Sequence, residues 1–159
     1  MKNLKNVSKN KGFTLIEILV VIGIIAILAT IVIIAINPAK QFAQARNTQR
    51  ESNVNTILNA IGQHAVDNKG VPMSSSNCSG VDNAPDTTVR TIGTGGGSMV
   101  DLGCLVPAYI PTAIPFDPAT GTAADTDYTI EYEDSRYTVC APNHAETAIP
   151  GSTSFCLTR

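Results

Sequence analysis

The sequence predicts an α+β protein: a long N-terminal helix, its first half transmembrane and kinked near Asn37-Pro38, packed against a small antiparallel β-sheet head with loops stapled by disulfides. Three observations predict it. Ile18 to Ile36 are 19 consecutive residues without a charge. Val54, Ile57, Leu58, Ile61 and Ala65 recur at helical spacing. Beyond residue 71 short alternating segments sit among Ser, Gly, Thr and Pro, with four cysteines dispersed through them.

The N-terminal twelve residues carry four lysines, Lys2, Lys5, Lys9 and Lys11, and no acid, which is a positive cytoplasmic flank. At about 1.5 Å per residue the uncharged run nearly spans the roughly 30 Å hydrocarbon core. It is longer than the about 7 to 15 apolar residues of an ordinary secretory signal, and no small-residue cleavage site closes it. Glu17 stands at its lip. A carboxylate at a bilayer centre costs about 2.5–3.5 kcal/mol, less at the interface. Two readings compensate it: a place in the first helical turn, where the helix dipole favours negative charge, or a cut between Gly12 and Phe13 that creates a protonated α-amine to meet it. Gly23, Ala26, Ala29 and Thr30 offer small positions where other helices can approach, or are incidental on a lipid-facing anchor.

These residues carry a resemblance. KGFTLIEILVVIGIIAILA resembles the class III signal of type IV pilins and pseudopilins, densely over residues 9–36 and more thinly to residue 72. The resemblance implies that a prepilin peptidase cleaves after Gly12 and that Phe13 becomes N-methylated. It implies that Glu17 meets the Phe13 ammonium of a neighbouring subunit as the chain leaves the bilayer. The chain then divides into a leader (1–12), a transmembrane and filament-core helix (13–36), an amphipathic helix (37–70) and a disulfide-stapled β-rich head (71–159). The implied function is that of a structural, non-enzymatic subunit of a helical homo-oligomeric filament for adhesion, motility or DNA uptake. It would be assembled from the inner membrane by a machinery with an ATPase and end as an extracellular or periplasmic filament. A pseudopilin of a type II secretion system is the alternative within the family; a monomeric membrane-tethered binding module is the alternative outside it. The sequence departs from the common family pattern in placing Ile34 where a proline is usual, with Pro38 four residues later.

The second helix is expected as a continuation of the first, bent at Asn37-Pro38, ending at Asn68, Lys69, Gly70 and Pro72 with the glycine as C-terminal cap. Its other face carries Arg46, Arg50, Glu51, Asp67 and Lys69, expected to be solvated or to bridge subunits. DYTIEYE and RYTVCA, separated by Asp134-Ser135, predict a hairpin, and TSFCLTR a third strand. Prolines at 107, 111, 115 and 118 predict an extended wrap before it.

Cys78, Cys104, Cys140 and Cys156 all lie beyond the apolar run, on the side where disulfides form. Four cysteines allow three connectivities. Joining neighbours, Cys78-Cys104 and Cys140-Cys156, closes loops for which chain entropy supplies about 3 kcal/mol each; the resemblance supports the second pairing.

Other chemistry finds little footing. After the leader there are 7 basic against 13 acidic residues, a net charge of −6, which disfavours a nucleic-acid site. GTGGGS at 93–98 lacks the Lys and Ser/Thr of a phosphate loop. Cys140 and His144 have no CxxC to complete a zinc site. Asp117, Asp125 and Asp127 are weak calcium candidates whose spacing fits no EF-hand, and turn acids are the plainer reading. No cofactor and no catalytic motif is expected.

Overall fold

The computed structural model describes residues 12–78 and 86–159; the lysines of the expected leader lie outside them. The chain divides into two units, Met1–Pro38 and Ala39–Arg159.

The first unit contains one helix, α1 (Leu15–Ile36). Its 22 residues span about 33 Å at the α-helical rise, enough for a bilayer core. None is buried within the chain. The polar hydrogen of Thr30 is spent internally, on the Ala26 carbonyl 2.9 Å away, as a membrane helix requires. Among the described residues α1 is the one helix long and apolar enough to cross a membrane.

Where the sequence suggests a single bent helix, the structure has two. Helical geometry stops at Ile36, Asn37 takes the left-handed conformation (φ 47°, ψ 81°), and α2 (Pro38–Asp67) begins at the proline. Pro38 has no N–H to donate and disfavours α geometry in the residue before it, and Asn tolerates the left-handed well better than most.

In the second unit α2 runs 30 residues and buries Ala43, Asn47, Arg50, Val54, Ile57, Leu58, Ile61 and His64 along one stripe at spacings of three and four. The stripe is polar in its N-terminal half and apolar in its C-terminal half. The helix ends in a Schellman motif: the Gly70 N–H reaches the Ala65 carbonyl at 2.7 Å and the Lys69 N–H the Val66 carbonyl at 3.1 Å. Lys69 occupies the left-handed cap position expected of Gly70, which also has positive φ one residue later.

Four antiparallel strands follow in chain order across one sheet: β1 (Arg90–Thr91), β2 (Thr129–Glu133), β3 (Arg136–Ala141) and β4 (Phe155–Thr158). The two-residue β1, paired to Ile130 and Thr129, has no counterpart in the sequence reading, because two residues carry no alternation to detect. In the β2–β3 hairpin Glu133 pairs with Arg136, leaving Asp134 and Ser135 as a two-residue turn with φ 49° and 62°. Positive φ at both places is the type I′ geometry whose twist matches the strands. The proline-rich segment is less extended than expected: Gly103–Leu105 forms a 3-10 turn and turns continue through Tyr109.

One core joins the layers. Val54, Ile57, Leu58 and Ile61 of α2 meet Ile130 of β2 and Val139 and Ala141 of β3, with Tyr128, Ile92, Val100, Leu102 and Leu105 from the connections. Disulfides join Cys78 to Cys104 and Cys140 to Cys156.

Candidate functional site

Gly12 and Phe13 precede α1, and Phe13 is 85% exposed. Thr14 is the N-cap, its extended backbone (φ −83°, ψ 153°) turning the chain into the helix. Glu17, three residues on, closes a capping box: the Glu17 N–H donates to the Thr14 hydroxyl oxygen at 3.3 Å, and the Thr14 N–H donates to Glu17 Oε2 at 2.7 Å. The Thr14 hydroxyl donates to the same Oε2 at 2.9 Å. Glu17 thus has a partner inside its own chain, in the first turn where the helix dipole also favours an acid. Glu17 Oε1 has no partner among the described residues, so the carboxylate keeps acceptor capacity in reserve. The box was legible as T-x-x-E in FTLIE, a signal the hydropathy reading passed over.

A second constellation lies in the other unit, where the polar half of the α2 stripe meets two loops. Arg50 donates from Nε to Asp117 Oδ2 at 2.6 Å and from Nη2 to Oδ1 at 3.1 Å. Its Nη1 donates to Glu146 Oε1 at 2.6 Å and to Asn47 Oδ1 at 2.8 Å. Arg46 grips the same Glu146 at both oxygens, 2.7 and 2.8 Å. Asn47 donates to the His144 carbonyl at 2.9 Å, and Asn53 to the Tyr128 hydroxyl at 2.9 Å. Two guanidinium groups therefore face two carboxylates.

This corrects the expected solvated face at Arg46 and Arg50, while Glu51, Asp67 and Lys69 are exposed as expected. Arg50 is 2% exposed, and both arginines are spent within their own chain. Glu51 stands 3.1 Å from His144 Nε2, and Asp67 accepts from the Tyr109 hydroxyl at 2.7 Å. A helical stripe continued in polar residues looks like an exposed face until the acids that neutralise it, 67 and 96 positions away, are seen to reach it.

The arginines set the acids' protonation. Hydrogen bonds from Arg46, opposed by partial burial and reinforced by Arg50, hold Glu146 down to about 2. For Asp117 burial pushes the pKa up, but the Arg50 guanidinium and the N–H groups of Ala119 and Thr120 outweigh it and leave it below the usual value.

Of the calcium candidates, Asp117 is committed to Arg50 and to the turn that follows it, accepting from the Ala119 and Thr120 N–H groups at 2.9 and 3.2 Å. Gly121 makes that turn possible, since a Cβ there would run into the Asp117 backbone. Asp125 Oδ1 accepts from the Asp127 N–H at 3.0 Å. Among the described residues no three His, Cys, Asp or Glu side chains gather as a metal site would need.

An exposed, capped helix, uncharged beyond Glu17, fits a membrane anchor by length and composition. A family model narrows the class: residues 7–33 match the prokaryotic N-terminal methylation motif. The chain carries the class III signal of type IV pilins and pseudopilins, which supports a pilin-like or pseudopilin precursor. No curated protein matches the chain. No solved structure matches it either.

Proposed function

We propose that the chain is the precursor of a structural, non-enzymatic subunit of a type IV pilus-like filament. The observation that supports this best is the methylation motif at 7–33 lying across α1, with Glu17 as its one acid. In this reading a prepilin peptidase cuts between Gly12 and Phe13, Phe13 is N-methylated, and the leader 1–12 is lost. The remaining chain rests in the inner membrane through 13–36, with 37–70 and the head 71–159 beyond it. An assembly ATPase then drives its entry into a helical homo-oligomer.

In the filament the Phe13 ammonium of one subunit meets Glu17 of a neighbour. The capping box suits that exchange, because the carboxylate is held by its own Thr14 until the ammonium arrives and has an oxygen left to accept it. Adhesion, motility or DNA uptake is the outcome of such a filament. Mass spectrometry of the mature protein from its host tests the reading: the expected N-terminus is methylated Phe13. An intact leader, or an unmodified N-terminus elsewhere, overturns it.

A further inference from the structure

The two disulfides occupy different environments. Cys78 is wholly buried in the core, and Cys104 packs against that core. Cys140 and Cys156 sit directly opposite each other on β3 and β4. Along β3, Tyr137, Val139 and Ala141 face inward and are buried, so Cys140 projects to the other side of the sheet with Thr138. Cys156 is exposed, as is Thr158 beside it, whose hydroxyl lies 2.8 Å from that of Thr138. The Cys140-Cys156 bond therefore lies on the solvent face of the sheet.

The strands and loop it bridges are also held without it. The Tyr137 N–H donates to the Arg159 carbonyl and the Arg159 N–H to the Tyr137 carbonyl, at 2.8 and 2.9 Å, extending the β3–β4 ladder. Between the cysteines, the loop is tied to α2 by Glu146 on Arg46 and Arg50 and by the His144 carbonyl on Asn47. Thiol–disulfide exchange requires a thiolate to reach a sulfur, so access decides which bond opens first.

We propose that Cys140-Cys156 is a thiol-exchange site, opened by a dithiol reductant or dithiol oxidoreductase while Cys78-Cys104 stays closed and the head stays folded. A thiolate of the dithiol attacks Sγ of Cys156, the more exposed residue of the two. The Cys140–Cys156 bond breaks, a mixed disulfide forms at Cys156, and Cys140 leaves as a thiolate that takes a proton from water. The second thiol of the reagent, as its thiolate, then attacks the reagent's own sulfur in the mixed disulfide and releases Cys156. The reagent is oxidised to its disulfide, and two electrons have passed to Cys140 and Cys156.

The site does not depend on how the N-terminus is processed. The test uses the full chain in detergent micelles, treated with increasing dithiothreitol, alkylated at intervals and mapped by mass spectrometry while circular dichroism follows the fold. Cys140 and Cys156 are expected to be alkylated at least about tenfold faster than Cys78 and Cys104, with the spectrum unchanged. Labelling of Cys78 and Cys104 first, or of all four together as the spectrum collapses, overturns the proposal. A Cys140→Ser/Cys156→Ser chain is expected to keep the same spectrum, and its failure to fold also overturns it.

Discussion

Arg50 and Asp117 are 67 positions apart, yet the guanidinium meets the carboxylate at two points, 2.6 and 3.1 Å, with both side chains shut off from solvent. Glu146 approaches the same guanidinium from a different loop and shares itself with Arg46. The pair binds α2 to the turn at 117–121, and Glu146 binds it to the loop between Cys140 and Cys156.

Removing Arg50 strands a buried charge. Arg50→Leu is expected to lower stability by about 3–5 kcal/mol, measured by urea unfolding of the full chain in detergent, because Asp117 keeps its desolvation cost and loses its ion partner. Replacing both, as Arg50→Leu with Asp117→Asn, is expected to recover part of the loss. A cost under about 1 kcal/mol for Arg50→Leu alone would show the pair to behave as a surface bridge.

Acid should weaken the same knot. Glu146 titrates at about 2 in the folded chain against an ordinary 4.5, and Asp117 is also lowered. Depressed carboxylate pKa values supply stability that is complete above the unfolded value and lost as pH falls through the folded one. The melting temperature is therefore expected to fall progressively from about pH 4.5 toward about pH 2, and Glu146→Gln to flatten that slope.

Calcium should leave the head unmoved. Asp117 is occupied by Arg50 and by backbone N–H groups, so adding calcium or chelating it is expected to leave the melting temperature unchanged. A calcium-dependent rise would mean that Asp117, Asp125 and Asp127 rearrange around an ion, and would favour the pseudopilin alternative.

The hairpin turn has room for improvement. Ser135 holds φ 62° without being glycine. Ser135→Gly is expected to raise stability by about 0.5–1 kcal/mol in urea unfolding, the relief of left-handed strain exceeding the added chain entropy.

A substitution at Glu17 tests the proposed assembly role apart from anchoring. Glu17→Ala is expected to leave membrane insertion and N-terminal cleavage intact and to abolish filaments in electron micrographs of the host. Abundant normal filaments from this variant would remove Glu17 from the assembly step.

The anchor was readable because everything that makes it an anchor is local. An uncharged run of membrane length, a positive flank and one acid at the lip lie within 36 residues, and a bilayer imposes its requirement on any helix that enters it. The hairpin was equally local, since alternation in Tyr128, Ile130 and Tyr132 and the Asp134-Ser135 turn lie side by side in the chain. So was the end of α2 at Asn68 to Gly70, though which residue took the left-handed place was not.

The tertiary structure decided what depends on distant partners. It turned Arg50 from a surface residue into a buried one, gave β1 a neighbour to pair with, and set Asp117 against a guanidinium instead of open water. Hydrophobic periodicity reports which face of a helix meets apolar surface. It is silent where a buried face is made of charges, because a buried ion is tolerable only when its opposite is delivered to it, and that delivery is a property of the folded chain.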